Sequence, residues 1–154
     1  MKNCTKLPVT KNQIEPLCSK YNINQILASI LVRRGISQGE DILYFLENDI
    51  RFQHSPFCFS VMEDIVERIL QAQEEGEKVL IFGDSDVDGN TSTAILYSYL
   101  KKIGIDVQWK LPVGDDGYGL SIQAIDDFAK EDGSLIITVD CGISNFESIE
   151  YAND

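Results

Sequence analysis

Histidine is nearly absent from this sequence: His54 is the only one among 154 residues. The four cysteines, Cys4, Cys18, Cys58 and Cys141, show neither a CxxC spacing nor a pairing with that histidine, which excludes a thiolate and imidazole zinc site. They are expected to be reduced thiols. Basic residues are also scarce, 13 against 25 acidic ones, for a formal net charge of −12. That balance excludes a generic basic surface for nucleic acid. It does not exclude nucleic acid itself, because carboxylate-bound metal ions reverse the local sign of the potential and a further domain can supply basic groups. No hydrophobic run is long enough to span a bilayer, and Met1 to Lys6 carries no apolar signal-like stretch. The expectation is a cytoplasmic protein without membrane contact. A GxGxxG dinucleotide fingerprint is missing as well, as are internal repeats and low-complexity tracts.

What is present reads as two parts with a boundary near Gly76: a helical region over residues 1–76, and the first part of a parallel α/β domain over residues 77–154. Ile23, Ile26, Leu27, Ile30 and Leu31 recur at helical spacing and run into Arg33-Arg34-Gly35, where glycine offers a C-terminal cap. Ser37 is expected to cap a second helix carrying Ile42, Leu43 and Leu46, with Glu40 near the capping-box position. After a break around Pro56, a longer amphipathic helix is expected from Ser60 to Glu75, closed by Gly76. The rhythm then changes. Strands are expected at Val79 to Phe82, Asp106 to Leu111 and Leu135 to Val139, and helices at Asn90 to Ile103, Ser121 to Lys130 and Phe146 to Asp154. Such alternation implies a parallel sheet with right-handed crossovers. The final helix reads as one whose next strand is absent, as in the first part of a longer protein.

Three aspartates at alternate positions, Asp84, Asp86 and Asp88, follow the apolar run Val79-Leu80-Ile81-Phe82 and precede a helical stretch. Carboxylates crowded in this way repel one another and are normally held by hard divalent cations. They sit at the carboxyl end of a parallel strand, where open α/β sheets bind ligands. The next helix points its positive end at the same edge, and Thr91, Ser92 and Thr93 offer donors for an anion. A bland reading is a solvated acidic turn. An EF-hand matches Asp84, Asp86, Asp88 and Gly89, but Ile95 stands where its bidentate glutamate is required and a strand replaces the leading helix. A haloacid-dehalogenase-like phosphatase matches Asp86-Val87-Asp88-Gly89, with Asp84 and the lack of threonine after the glycine against it.

A second acidic strand end, Asp140 in Thr138-Val139-Asp140-Cys141-Gly142, is expected on the same edge, where it can complete a ligand set. Between the two lies the glycine-rich loop around Gly117-Tyr118-Gly119-Leu120-Ser121. Its tyrosine either stacks on a base or touches a phosphate, or simply covers the turn. His54, in a polar connection well before the sheet, is expected to be ordinary surface.

Taken together, these residues resemble the DHH phosphoesterase superfamily, and within it the RecJ family of single-strand-specific exonucleases. Asp84-Ser85-Asp86-Val87-Asp88-Gly89 is similar to the first motif of the superfamily and Thr138 to Ser144 to the second, while Gly117 to Ser121 matches its glycine-tyrosine-glycine-leucine loop. The helix before Arg34-Gly35-Ile36 resembles the RecJ N-terminal region, so the likeness covers nearly the whole chain. Departures are Ser85 for an aromatic residue, Cys141 for asparagine, and Val113-Gly114-Asp115-Asp116 for a polar or basic segment.

The resemblance implies a 5′→3′ exonuclease on single-stranded DNA, acting in recombination and repair by two-metal hydrolysis with Mn2+ or Mg2+. Asp84, Asp86, Asp88 and Asp140 are then the metal-binding and catalytic residues, and Thr91, Ser92, Gly117, Tyr118 and Gly119 the substrate contacts. Partners implied in the same way are the DNA strand, a single-strand-binding protein and a recombination helicase. The histidine pair and C-terminal domain of the superfamily would lie beyond Asp154, leaving 1–154 alone inactive. Alternatives within the superfamily are an oligonucleotide or cyclic-dinucleotide phosphodiesterase, and a non-catalytic replication scaffold.

Overall fold

The apolar positions before Arg34 form α2 (Gln25–Arg33), whose N-cap Asn24 accepts a hydrogen bond from the Leu27 N–H at 2.9 Å. Gly35 follows at φ 76°, the left-handed conformation that glycine adopts without penalty. This is a computed structural model; it describes residues 6–114 and 116–154, so Cys4 in the N-terminal segment and Asp115 in the glycine-rich loop lie outside the described residues. A further helix, α1 (Lys11–Tyr21), precedes α2 and was not signalled by hydrophobic spacing, since Pro16 stands inside it. Proline removes a hydrogen bond there, and burial of the neighbouring Leu17 against Ala28, Leu31 and Ile42 offsets the loss. Helix α3 (Glu40–Leu46) is capped by Gly39 instead of Ser37, because the backbone at that position turns through φ 62°. Single 3₁₀ turns at Ile50–Phe52 and Pro56–Cys58 complete this part.

The chain divides between Cys58 and Phe59 into two compact units. The second opens with α4 (Met62–Glu75), and the change of rhythm at Gly76 falls at the C-cap of that helix, with Gly76 at φ 67°. Strands β1 (Lys78–Phe82), β2 (Asp106–Lys110) and β3 (Gly133–Thr138) then form a parallel sheet in the order β2-β1-β3. Helices α5 (Val87–Lys102), α6 (Ile122–Ala129) and α7 (Phe146–Asn153) alternate with and follow the strands. The fold is therefore the expected parallel α/β domain.

β1 is the central strand and is covered on both faces, which is why it reads as an unbroken apolar run instead of an alternating one. Val79 and Ile81 pack with Ala72 of α4 and Leu100 of α5, while Phe82 packs on the other face with Ala124 and Ile125 of α6. Each such fully buried aliphatic side chain contributes about 1.5–3 kcal/mol, so the sheet end that carries the acidic loop stands on a rigid base. Polar ties join the layers: Arg68 of α4 pairs with Glu77 before β1 at 2.7 Å, and the Tyr151 hydroxyl of α7 donates to Asp126 of α6 at 2.7 Å. No helix among the described residues is long and apolar enough to cross a membrane.

Candidate metal centre

Helix α5 begins at Val87, three residues before the position expected from the sequence, and this gives the three alternate aspartates three different surroundings. The Asp84 carboxylate accepts from the Ser85 N–H at 2.7 Å. Asp86 is the N-cap of α5, and its carboxylate accepts from the Gly89 N–H at 2.9 Å. Asp88 lies in the first turn, where a negative charge is favoured by the positive end of the helix. A Cβ at Gly89 would fall on the backbone of Asp84, and one at Gly83 on the Thr93 side chain. The two glycines thus let the start of α5 lie directly against the end of β1. Asn90 fastens the loop, donating to the carbonyls of Ser85 at 2.9 Å and Asp86 at 2.8 Å.

The second acidic loop continues β3. The Val139 N–H donates to the Phe82 carbonyl at 2.9 Å, and Asp140 then turns through φ 59°, a left-handed conformation that aspartate tolerates better than most residues. The buried Cys141 thiol donates to the carbonyls of Phe82 at 3.5 Å and Val139 at 3.3 Å, so it pins this loop to the last residue of β1. Burial, and next the charge of Asp84, push the thiol pKa up, keeping it a protonated donor at neutral pH. Tyr118 reaches across from the glycine-rich loop and donates to the Asp140 carbonyl at 3.2 Å, while its ring remains exposed. Gly119, at φ 89°, lies where a Cβ would overlap the Asn145 side chain. Tyr118 therefore both covers the second loop and presents an aromatic face.

Electrostatics record how closely these groups gather. The Asp140 carboxyl is held above the usual aspartate range by partial burial first, then by the charges of Asp86, Asp88 and Asp84. The Tyr118 hydroxyl is raised by burial and by Asp84, Asp140, Cys141 and Asp86 in turn. The four aspartates thus share one sheet edge. Their oxygen-only donors suit a hard divalent cation such as Mg2+ or Mn2+. Among the described residues, no three His, Cys, Asp or Glu side chains converge into a ligand group. The chemistry of these four carboxylates would fit one side of a site for such a cation.

The remaining candidates are placed differently. The hydroxyls of Thr91 and Ser92 donate to the carbonyls of Val87 at 2.8 Å and Asp88 at 2.7 Å, so both donors are engaged within α5. Gly117 is exposed beside Tyr118. His54 stacks on the Tyr44 ring at 4.8 Å. Sequence reasoning missed the anchoring by Asn90 and Cys141; only the absence of a polar residue at 141 hinted that the second loop turns inward.

Known proteins resemble this chain in sequence and in fold. The DHH family, N-terminal domain, matches residues 78–154. The single-stranded-DNA-specific exonuclease RecJ of Bacillus subtilis is 33% identical over 145 residues, a stretch that takes in 94% of this chain and 18% of that protein. A crystal structure of exonuclease RecJ bound to manganese superposes with a TM-score of 0.53 at 32% identity, covering 59% of this chain and 24% of the other. RecJ in complex with Mn2+ from Thermus thermophilus gives a TM-score of 0.60 over 96% of this chain and 20% of the other, a likeness of fold at 24% identity. The chain spans about a fifth of the length of the curated relatives it matches. Since the matched domain runs from the first residue of β1 through both acidic strand ends and takes in half of the sequence, the chain belongs to the DHH family.

Proposed function

We propose that these residues are the N-terminal part of a metal-dependent exonuclease that removes nucleotides from single-stranded DNA in the 5′→3′ direction. The observation that carries this reading is the placement of Asp84, Asp86 and Asp88 after β1 and of Asp140 after the adjacent parallel strand β3, at one sheet edge, near enough for their charges to raise the Asp140 pKa. The exonuclease relatives, two of them solved with manganese, supply the substrate class. In the same reading the protein acts in the cytoplasm in recombination and repair, alongside a single-strand-binding protein and a helicase.

Asp84, Asp86, Asp88 and Asp140 would hold Mn2+ or Mg2+, together with ligands from outside these 154 residues. The bound ion supplies Lewis acidity toward the phosphodiester and its attacking water. Asp86 contributes twice, since its cap fixes the start of α5 while its charge faces Asp140. The α5 N-terminus favours the anionic phosphate. Tyr118 keeps the Asp140 loop in place through its hydroxyl and offers its exposed ring, flanked by Gly117 and Gly119, to the strand. Thr91 and Ser92 lie in the first turns of α5, beside the phosphate path, with their hydroxyls turned back onto the helix carbonyls.

The test is hydrolysis of 5′-labelled single-stranded DNA in manganese by a complete protein containing these residues. Metal-dependent release of nucleotides from the 5′ end, lost in Asp86→Ala and Asp140→Ala, is expected, with no appreciable turnover by residues 1–154 alone. Full activity in both variants would overturn the assignment.

A further inference from the structure

The net charge of −12 hides an uneven distribution. Up to Gly39 the sequence carries Lys2, Lys6, Lys11, Lys20, Arg33 and Arg34 against Glu15 alone, so all but one of the 25 acidic residues follow it. Such asymmetry between parts of one chain points to a polyanionic ligand for the basic part.

Folding gathers most of these cations at one end of the α1/α2 pair. Arg33, the half-buried last residue of α2, donates from Nε to the Leu7 carbonyl at 2.9 Å and from Nη1 to the Ser29 hydroxyl at 3.0 Å. The C-terminal end of α2 therefore lies beside the segment that enters α1. The exposed Lys6 and Lys11 flank that segment, and the exposed Arg34 follows Arg33, whereas Lys20 stands at the far end of α1. Arginines closing a helix are ordinary, since they meet its negative end. Lys11 is not: it opens α1, where a cation is disfavoured, and no acidic residue stands in that first turn. Among the described residues Lys6, Lys11, Arg33 and Arg34 form no salt bridge, Glu15 one turn after Lys11 included. Cations held together without counter-charges repel one another, and a bound anion removes that repulsion.

We propose that this end of the α1/α2 pair is an interaction surface for the phosphates of single-stranded DNA. The proposal rests on the nuclease reading. Under that reading the substrate is a long polyanion, and most of its phosphates lie away from the bond being cut. Guanidinium and ammonium groups hold phosphate oxygens without reading bases, so the surface raises affinity for any sequence. It belongs to the first compact unit, whereas the four carboxylates belong to the second.

The experiment measures binding of a hydrolysis-resistant phosphorothioate oligothymidylate to the complete protein in manganese, across a range of potassium chloride concentrations. Lys11→Gln/Arg34→Gln should weaken binding on the order of ten-fold at low salt and lower the slope of log affinity against log salt by about 1.4, two phosphate contacts' worth. Lys20→Gln/Lys102→Gln, which removes equal charge elsewhere, should leave the slope unchanged. Thermal melts of both variants should match wild type. Equal slopes in wild type and Lys11→Gln/Arg34→Gln would overturn the proposal and leave the nuclease reading standing. Loss of polyglutamate binding in that variant, with the DNA slope unchanged, would overturn it in favour of an acidic protein segment. Equal slope losses in both double variants would reduce the effect to net charge and also overturn it. Failure of the wild type to bind the strand would sink both readings.

Discussion

Gly89 and Asp140 are the residues at which the candidate site departs from ordinary packing. In the first turns of a helix, glycine to alanine normally stabilises by about 1 kcal/mol. At Gly89 the sign should reverse, because the added Cβ would meet the Asp84 backbone, which cannot move aside as a side chain can. Gly89→Ala should cost about 1–3 kcal/mol in urea unfolding, the usual range for forced overpacking; a gain in stability would show that α5 is free to shift. Asp140 carries a different tension. Folding raises its pKa, so the native state binds the proton more tightly than the unfolded chain does. Stability of the metal-free protein should therefore fall as pH rises from the usual aspartate range to the raised value, and the loss should persist at neutral pH. Asp140→Asn keeps a residue that tolerates the left-handed backbone while removing the charge. Melting in EDTA at pH 7 should show a higher Tm for Asp140→Asn than for wild type, with the difference shrinking at acid pH. A lower Tm would mean that the carboxylate is not repelled by its neighbours.

At the scale of elements, the start of α5 combines two roles in one side chain, and substitution can separate them. Asp86→Ala should cost about 1 kcal/mol through loss of the N-cap. Asp86→Asn should retain that stability, since an amide oxygen accepts the Gly89 N–H equally well, yet lose manganese affinity as fully as alanine does. Thermal melts and manganese titration of both variants check this, and equal destabilisation by the two would show that the charge, not the cap, supports the helix. The same helix illustrates what the sequence could reveal. β1 was legible because four consecutive apolar residues need cover on both faces, and the close of α4 because Gly76 adopts a left-handed turn. The start of α5 was placed late, since Asp-Val-Asp-Gly reads locally as turn chemistry; here the close fit of Gly89 on Asp84 turns those residues into a helix. Helix α1 was hidden by Pro16, whose local penalty is met by the distant contacts of Leu17. Ser37 failed as a cap because φ at Gly39 matters more than side-chain chemistry. The gathering of Asp140 with the first loop could be inferred from equivalent strand ends, but the Cys141 and Tyr118 bonds that hold it there depend on tertiary contacts that spacing does not encode.

At the scale of the whole molecule, a chain with net charge −12 repels a phosphate backbone unless its concentrated carboxylates are neutralised. In the function proposed above, divalent metal is therefore the condition both for relieving the Asp140 tension and for admitting DNA. The most direct test is a manganese titration, by calorimetry or electron paramagnetic resonance, of a complete protein containing these residues and of its Asp86→Asn and Asp140→Asn variants. Each variant is expected to bind at least one ion more weakly, on the order of ten-fold or more, with folding retained. Manganese affinity and stoichiometry unchanged in both variants would contradict it.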